Sequence, residues 1–321
     1  MLFERKIIEL YKNGVIKRFD NTGDILYYSP NDFEGLTFEP ITFPGQEGHT
    51  LRGGFYYYGE RDNSRIIVFD HGMGNGRQAY HKEIDRICRE GYTVASYDHT
   101  GTNESDGDDI RGFVRSLSDL DHFMKYLESR EDLRDASFSV IGHSWGGFST
   151  MNISALHDRI THVVAMAGFV DVKSIVGQFL PGPLKLYAKA IVREEEKSTP
   201  GYSAFSAKDS LMRSRAKVMI IHSTDDPTVS YKKHFLPLKK ALAGRENTVF
   251  VTLEGKGHNP NYTESAVKLK DEFFAVRDEK LKSGALDSAE AKADFVNSFD
   301  WVRMTEQDET VFSQIFEFLK S

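Results

Sequence analysis

Several things are scarce in this sequence, and each scarcity excludes something. A single cysteine, Cys88, rules out an intrachain disulfide and suits a reducing compartment. It falls in the apolar pattern Tyr80, Ile84, Ile87, Cys88, which predicts a small buried hydrophobe. No run approaches the ~18–20 apolar residues needed to cross a bilayer, so stable membrane insertion is not expected. The opening Met1-Leu2-Phe3-Glu4-Arg5-Lys6 has no sustained apolar stretch, so a secretory signal is not expected and a cytoplasmic location is. Excess positive charge is also missing. The formal net charge is −7 and is spread along the chain, which leaves no electrostatic case for binding nucleic acid or an anionic membrane.

What is present is ordinary in bulk. Hydrophobic residues make up 40% and charged residues 28% of 321, enough for a sizeable core in a soluble globular protein. α/β folds often run this long as one domain, here residues 1–321. Nothing in the pattern indicates an oligomeric state.

The chain opens with a short amphipathic segment (Ile7, Ile8, Leu10, Tyr11) and then an expected antiparallel hairpin, Leu36–Phe43 and Leu51–Tyr58, around Pro44–Gly48. After that, strands and helices alternate. Ile66–Phe69 is a continuous apolar run, as a parallel strand buried on both faces requires. Further strands are expected at Tyr92–Tyr97, Ser137–Ile141, Val163–Met166, Val218–Ile221 and Val249–Leu253, with apolar helical spacing between them. This rhythm predicts an α/β fold with a mostly parallel central sheet covered by helices. Two segments interrupt it. Residues 170–212 carry Ile175, Val176, Phe179, Leu180, Leu184 and Leu186 and read as a helical cap insertion over the site. Residues 260–305 read as an additional helical insertion before a last helix, Val311–Leu319, either walling the entrance to the site or making a dimer contact.

The chemistry centres on Gly142-His143-Ser144-Trp145-Gly146-Gly147, between a strand and a helix. A serine on so sharp a turn is strained, and side chains two positions before and after it would strike neighbouring backbone; glycines remove them. Ser144 is therefore the candidate nucleophile. A serine hydroxyl needs an adjacent base, normally a histidine held by a carboxylate. Among eleven histidines, His258 stands out, because Gly255-Lys256-Gly257-His258-Asn259 directly follows a strand. His143 adjoins the serine but should leave the turn in another direction, toward a packing or supporting role. The carboxylate should follow the preceding strand, where Asp225 and Asp226 lie; Asp226, before Pro227, is favoured because proline fixes an extended backbone there.

Two N–H donors are needed for a developing oxyanion. One is the backbone N–H of Trp145. The other should come from Asp70-His71-Gly72-Met73-Gly74-Asn75-Gly76, with Met73 the best candidate. This glycine loop fits a dinucleotide fingerprint poorly, and the histidines show no metal-ligand spacing, so neither cofactor nor metal is expected.

His71-Gly72-Met73-Gly74, Tyr97-Asp98-His99-Thr100-Gly101, the serine turn, Asp226 and Gly257-His258, in this order, resemble the α/β-hydrolase superfamily. The resemblance lies in the branch containing monoacylglycerol lipases and serine aminopeptidase-like hydrolases, and covers roughly residues 50 to 260. It implies an α/β-hydrolase fold and hydrolysis through an acyl-enzyme. The chain after His258 departs from the family pattern, which usually closes with one helix. The expected function is cleavage of a small to medium, largely uncharged carboxylic ester, with Phe179, Leu180 and Leu184 of the cap lining an acyl pocket. The alternatives are an aminopeptidase or amidase of the proline iminopeptidase type, in which Glu194–Glu196 would hold a substrate amino group, and an acyltransferase using the same acyl-enzyme.

Overall fold

A computed structural model describes residues 2–74 and 76–321; Asn75, inside the glycine loop, lies outside the described residues. Strands β1 (Leu36–Pro44), β2 (Thr50–Tyr58), β3 (Arg65–Asp70), β4 (Thr93–Tyr97), β5 (Ser137–His143), β6 (Ile160–Met166), β7 (Lys217–Ser223) and β8 (Thr248–Leu253) form one sheet in the order β1-β2-β4-β3-β5-β6-β7-β8. The first two make the antiparallel hairpin; from β4 to β8 all neighbours are parallel.

The continuous apolar runs have their reason in the two layers around this sheet. Along β3, Ile66 and Val68 join the cluster on one face, while Ile67 and Phe69 join the cluster on the other. β6 divides in the same way, Val163 and Ala165 against Val164 and Met166. An alternating polar residue would be buried without a partner at every second position.

One face is covered by α1 (Leu2–Val15), α3 (Arg115–Ser129), α4 (Trp145–Ile153), α5 (Val172–Phe179), α6 (Ala188–Ser198), α7 (Ala207–Arg213) and α8 (Tyr231–Ala241). The other is covered by α2 (His81–Arg89) and the last helix, α12 (Glu309–Lys320). Cys88 is buried there among Ile84 and Ile87. Between β8 and α12 lie α9 (Glu264–Lys282), α10 (Ala289–Asn297) and α11 (Trp301–Met304). Their apolar side chains (Phe273, Phe295, Val296 and Met304), with Leu286 from the connection between α9 and α10, form a separate cluster, against which Ile25 and Leu26 pack. Side-chain caps set the start of each helix: Thr263, Ser288 and Asp300 accept from Ala266, Ala291 and Arg303 N–H.

The segment 170–212 folds as the helices α5 to α7, but its apolar residues are committed elsewhere than expected. Val172, Ile175, Val176, Ala188, Ile191 and Leu211 belong to the main cluster on the sheet. Glu195 fixes α6 further, accepting the N–H groups of Phe113 (3.0 Å) and Val114 (2.8 Å) and the Tyr11 hydroxyl. The segment is thus part of the sheet's covering layer. Among the described residues, no helix is long and apolar enough to cross a membrane.

Candidate active site

Strand β5 ends at His143 and α4 begins at Trp145, so Ser144 alone makes the turn. Its backbone sits at φ 56°, ψ −110°, a region costly for any residue with a Cβ. The turn survives because its surroundings over-determine it. The Ser144 N–H donates to Met166 O at 2.8 Å, and its carbonyl accepts from Phe148 N at 3.1 Å. The flanking glycines are required by space. A Cβ at Gly146 would stand 2.1 Å from Asp70 O, and one at Gly142 would stand 2.3 Å from Thr150 Oγ1. Trp145 is buried beneath the turn, and its indole N–H donates to Phe113 O at 2.6 Å. Without that acceptor, its burial would cost about 1–3 kcal/mol.

The structure brings three of the expected residues together. His258 Nε2 lies 2.8 Å from Ser144 Oγ, and His258 Nδ1 lies 2.8 Å from Asp226 Oδ2. Asp226 is buried, and its other oxygen accepts from Thr228 N (2.8 Å) and Val229 N (2.9 Å). Burial raises this carboxyl's pKa, but hydrogen bonds from His222, His258 and Val229 outweigh it and hold the group well below its ordinary range. Asp226 therefore stays ionised wherever the protein is folded at ordinary pH. Asp225 is turned away: it accepts from Ser223 Oγ and, at 3.4 Å, from Gly257 N. Lys256 anchors the loop carrying His258, reaching Asp308 Oδ2 (2.5 Å) and Tyr262 O (3.0 Å).

The two residues expected to supply oxyanion N–H groups are placed by different means. Trp145 is the first residue of α4, where the N–H has no acceptor within the helix. Met73 is positioned by its peptide plane. His71 Nε2 accepts the His99 N–H at 3.0 Å, which leaves the proton on Nδ1; Nδ1 donates to Gly72 O at 2.7 Å. In a trans peptide, holding the Gly72 carbonyl on one side turns the Met73 N–H to the other. Burial keeps His71 neutral, pushing its pKa well below the usual imidazole range.

A second chain of hydrogen bonds joins the two loops. Gly72 N donates to Tyr80 Oη (3.1 Å), and Tyr80 Oη donates to His143 Nδ1 (2.8 Å). His143 Nε2 then donates to His258 O (2.7 Å). This wiring needs a neutral His143, and burial, with His258 beside it, lowers its pKa to about 3. The supporting role expected of His143 thus has a specific form. Tyr80 was not distinguishable in the sequence from the buried face of its helix.

Under the turn, His99 is fully buried with Nε2 3.0 Å from Asp70 Oδ1 and Nδ1 3.5 Å from Asp119 Oδ2. Burial opposes its charge, yet the two carboxylates raise its pKa to about 9. Neither ring nitrogen has hydrogen-bond geometry, so the attraction is ionic.

Ser144, His258 and Met73 open into a cavity of about 600 Å³. Its wall is not the one expected. Phe179 is 61% exposed, Leu184 lines a different recess beside Phe3 and Leu186, and neither they nor Leu180 border this cavity. The physical reason is the commitment of α5 to α7 to the sheet. The cavity is walled instead by Tyr27 and Tyr28 before β1 and by Phe273, Phe274, Trp301 and Lys270 from the 260–305 segment. The cap glutamates are likewise unavailable to a substrate. Glu195 is buried on the N–H groups of Phe113 and Val114 just before α3, Glu194 pairs with Lys12 and Lys197, and Glu196 accepts from Gly201 and Ser203. Among the described residues, no group of three or more His, Cys, Asp or Glu could hold a metal ion.

The sheet order, with a strained serine between β5 and α4, defines an α/β hydrolase. Residues 61–242, more than half of the chain, match the family described as serine aminopeptidase, S33, and the chain belongs to that family. No curated protein matches it. Among solved structures, it is similar to an esterase of Pyrococcus furiosus (TM-score 0.58, 17% identity, covering 83% of this chain and 98% of that one). It is also similar to a puromycin-hydrolyzing peptidase of Mycobacterium tuberculosis (TM-score 0.52, 17% identity, 69% of this chain and 36% of that one). At these identities the likeness concerns the fold alone.

Proposed function

We propose that this hydrolase cleaves carboxylic esters of small to medium size through Ser144, His258 and Asp226. The observation that carries the reading is the unbroken hydrogen-bond chain from Asp226 through His258 to Ser144, ending in a cavity of about 600 Å³. Asp226, ionised, keeps the His258 proton on Nδ1, so Nε2 is free to accept the Ser144 proton as Oγ attacks the acyl carbon. Negative charge then develops on the former carbonyl oxygen, and the N–H groups of Met73 and Trp145 stabilise it. His258 returns its proton to the leaving alcohol. Water, deprotonated by the same imidazole, releases the acid and restores Ser144. An alcohol in place of water would give acyl transfer by the same steps.

Amide cleavage at a free amino terminus is the second reading, favoured by the family to which the chain belongs. It is weakened by the occupation of Glu194–Glu196. A panel of acyl esters of graded chain length beside aminoacyl amides tests the choice: esters should have the higher kcat/KM. Better turnover of aminoacyl amides than of every ester would reverse the order.

Tyr80 acts on the reaction through the Gly72–Met73 peptide and His143, as a positioning residue. Tyr80→Phe removes the acceptor for Gly72 N–H and the donor to His143, and should lower kcat about ten- to a hundredfold with KM little changed. A loss that only tracks the folded fraction would reduce Tyr80 to a packing element.

A further inference from the structure

The cavity wall carries charge that its own residues do not neutralise. Lys270, on α9, is half-buried, with its ammonium 4.1 Å from the centre of the Tyr262 ring. Among the described residues it has no carboxylate partner within 4.0 Å. Among the described residues, Lys82, half-buried, and Lys268, exposed, also line the cavity without an ion pair. The other charged groups of the wall are accounted for. Arg277 pairs with Asp278 at 2.7 Å, and Asp225 is held by Ser223 and Gly257. Glu264 and Asp271 are exposed to solvent. Glu83 does not line the cavity; it is buried, with Oε1 accepting from Asn261 at 2.8 Å and Oε2 without a hydrogen-bond partner among the described residues. Like Asp271, it acts on Lys270 only from beyond pairing distance.

We infer that Lys270 receives a carboxylate of the substrate, so that the preferred substrates are esters bearing a free carboxylate group. This rests on the serine-hydrolase reading above and narrows it, replacing the uncharged ester expected from the sequence. An ammonium partly withdrawn from water with no carboxylate at pairing distance is under-solvated, and a bound anion relieves that cost. The Tyr262 ring face offsets only part of it. Burial lowers the Lys270 pKa to about 8, against the pull of Glu83 and Asp271, so the charge is present near neutral pH. The aromatic side chains of Tyr27, Tyr28, Phe273, Phe274 and Trp301 suit the apolar carbons between ester and carboxylate.

The test compares matched esters that differ by the carboxylate. On the acid side these are monomethyl adipate and methyl hexanoate; on the alcohol side, 6-acetoxyhexanoate and hexyl acetate. At about pH 7 the wild-type kcat/KM should favour the carboxylate in at least one pair by roughly ten- to a hundredfold, the range for a hydrogen bond to a charged group. The pair with the larger ratio identifies the side on which the carboxylate is carried. Lys270→Met should collapse that ratio toward one, and Lys270→Glu should turn the preference to methyl 6-aminohexanoate. Fluorophosphonate labelling of Ser144 in each variant reports that the site is assembled. A ratio of one or less in both wild-type pairs, or a ratio unchanged in Lys270→Met, overturns the inference, as does labelling without turnover of any of these esters. Absence of labelling in the wild type overturns instead the serine-hydrolase reading beneath it.

Discussion

Ser144→Ala is expected to lower turnover by ~10⁴-fold or more and to abolish fluorophosphonate labelling, with the fold intact. The size follows from the geometry. Removing Oγ leaves the Met73 and Trp145 N–H groups and the cavity in place, so residual rate comes only from binding and oxyanion stabilisation. His258 loses the partner at 2.8 Å but keeps Asp226. The fold should tolerate the change, because the strained backbone is held by the Met166 and Phe148 hydrogen bonds and the flanking glycines, not by the hydroxyl. Stability measured by denaturant unfolding should change by less than about 1 kcal/mol, as Oγ makes one polar contact at a half-exposed position. Labelling that persists in the variant would put the nucleophile elsewhere.

The second large effect separates two adjacent aspartates. Asp226→Asn should cost about 10³- to 10⁴-fold in kcat, because an amide nitrogen facing Nδ1 favours the tautomer with its proton on Nε2, where it cannot accept from serine. The substitution also takes away the negative charge that stabilises the imidazolium in the transition state. Asp225→Asn should stay within roughly tenfold, since its contacts are to Ser223 and the Gly257 N–H. Steady-state kinetics on one ester suffices. Equal losses, or the reverse order, would reassign the carboxylate.

How far the sequence carried these assignments depended on whether the signal was local. The turn at Ser144 is written in glycines two residues away on either side, and the structure shows the collisions that exclude anything else there. His258 and Asp226 could be nominated because each follows a strand whose apolar run is unmistakable. The antiparallel hairpin and the alternating strands were legible for the same reason. The cap was misread because helical spacing says that a face is buried, not against what. Val172, Ile175 and Val176 have the same pattern whether they roof a cavity or cover a sheet, and they cover the sheet. Helices after His258 were anticipated, but their part in the cavity wall was not separable from a contact with another molecule. α9 places Phe273 in its own cluster and also, beside Lys270, on the cavity, and no periodicity encodes that arrangement. Tyr80, and the specific form of the supporting role expected of His143, escaped for a different reason. Their function lies in a hydrogen-bond relay between loops distant in sequence, which has no spacing to read.

The separateness of the cluster formed by Phe273, Leu286, Phe295, Val296 and Met304 has a consequence for how this molecule can vary. The contacts that hold the serine in its strained turn lie in the sheet and its two covering layers, while those around Phe273 in the wall form a cluster of their own. Substitutions more than about 7–10 Å apart without shared partners combine additively. Specificity can therefore be rewritten at Phe273, Phe295, Val296 and Met304 with the strained turn kept, whereas the first turn of α9, where Glu264 and Val267 border the loop before His258, is tied to the machinery.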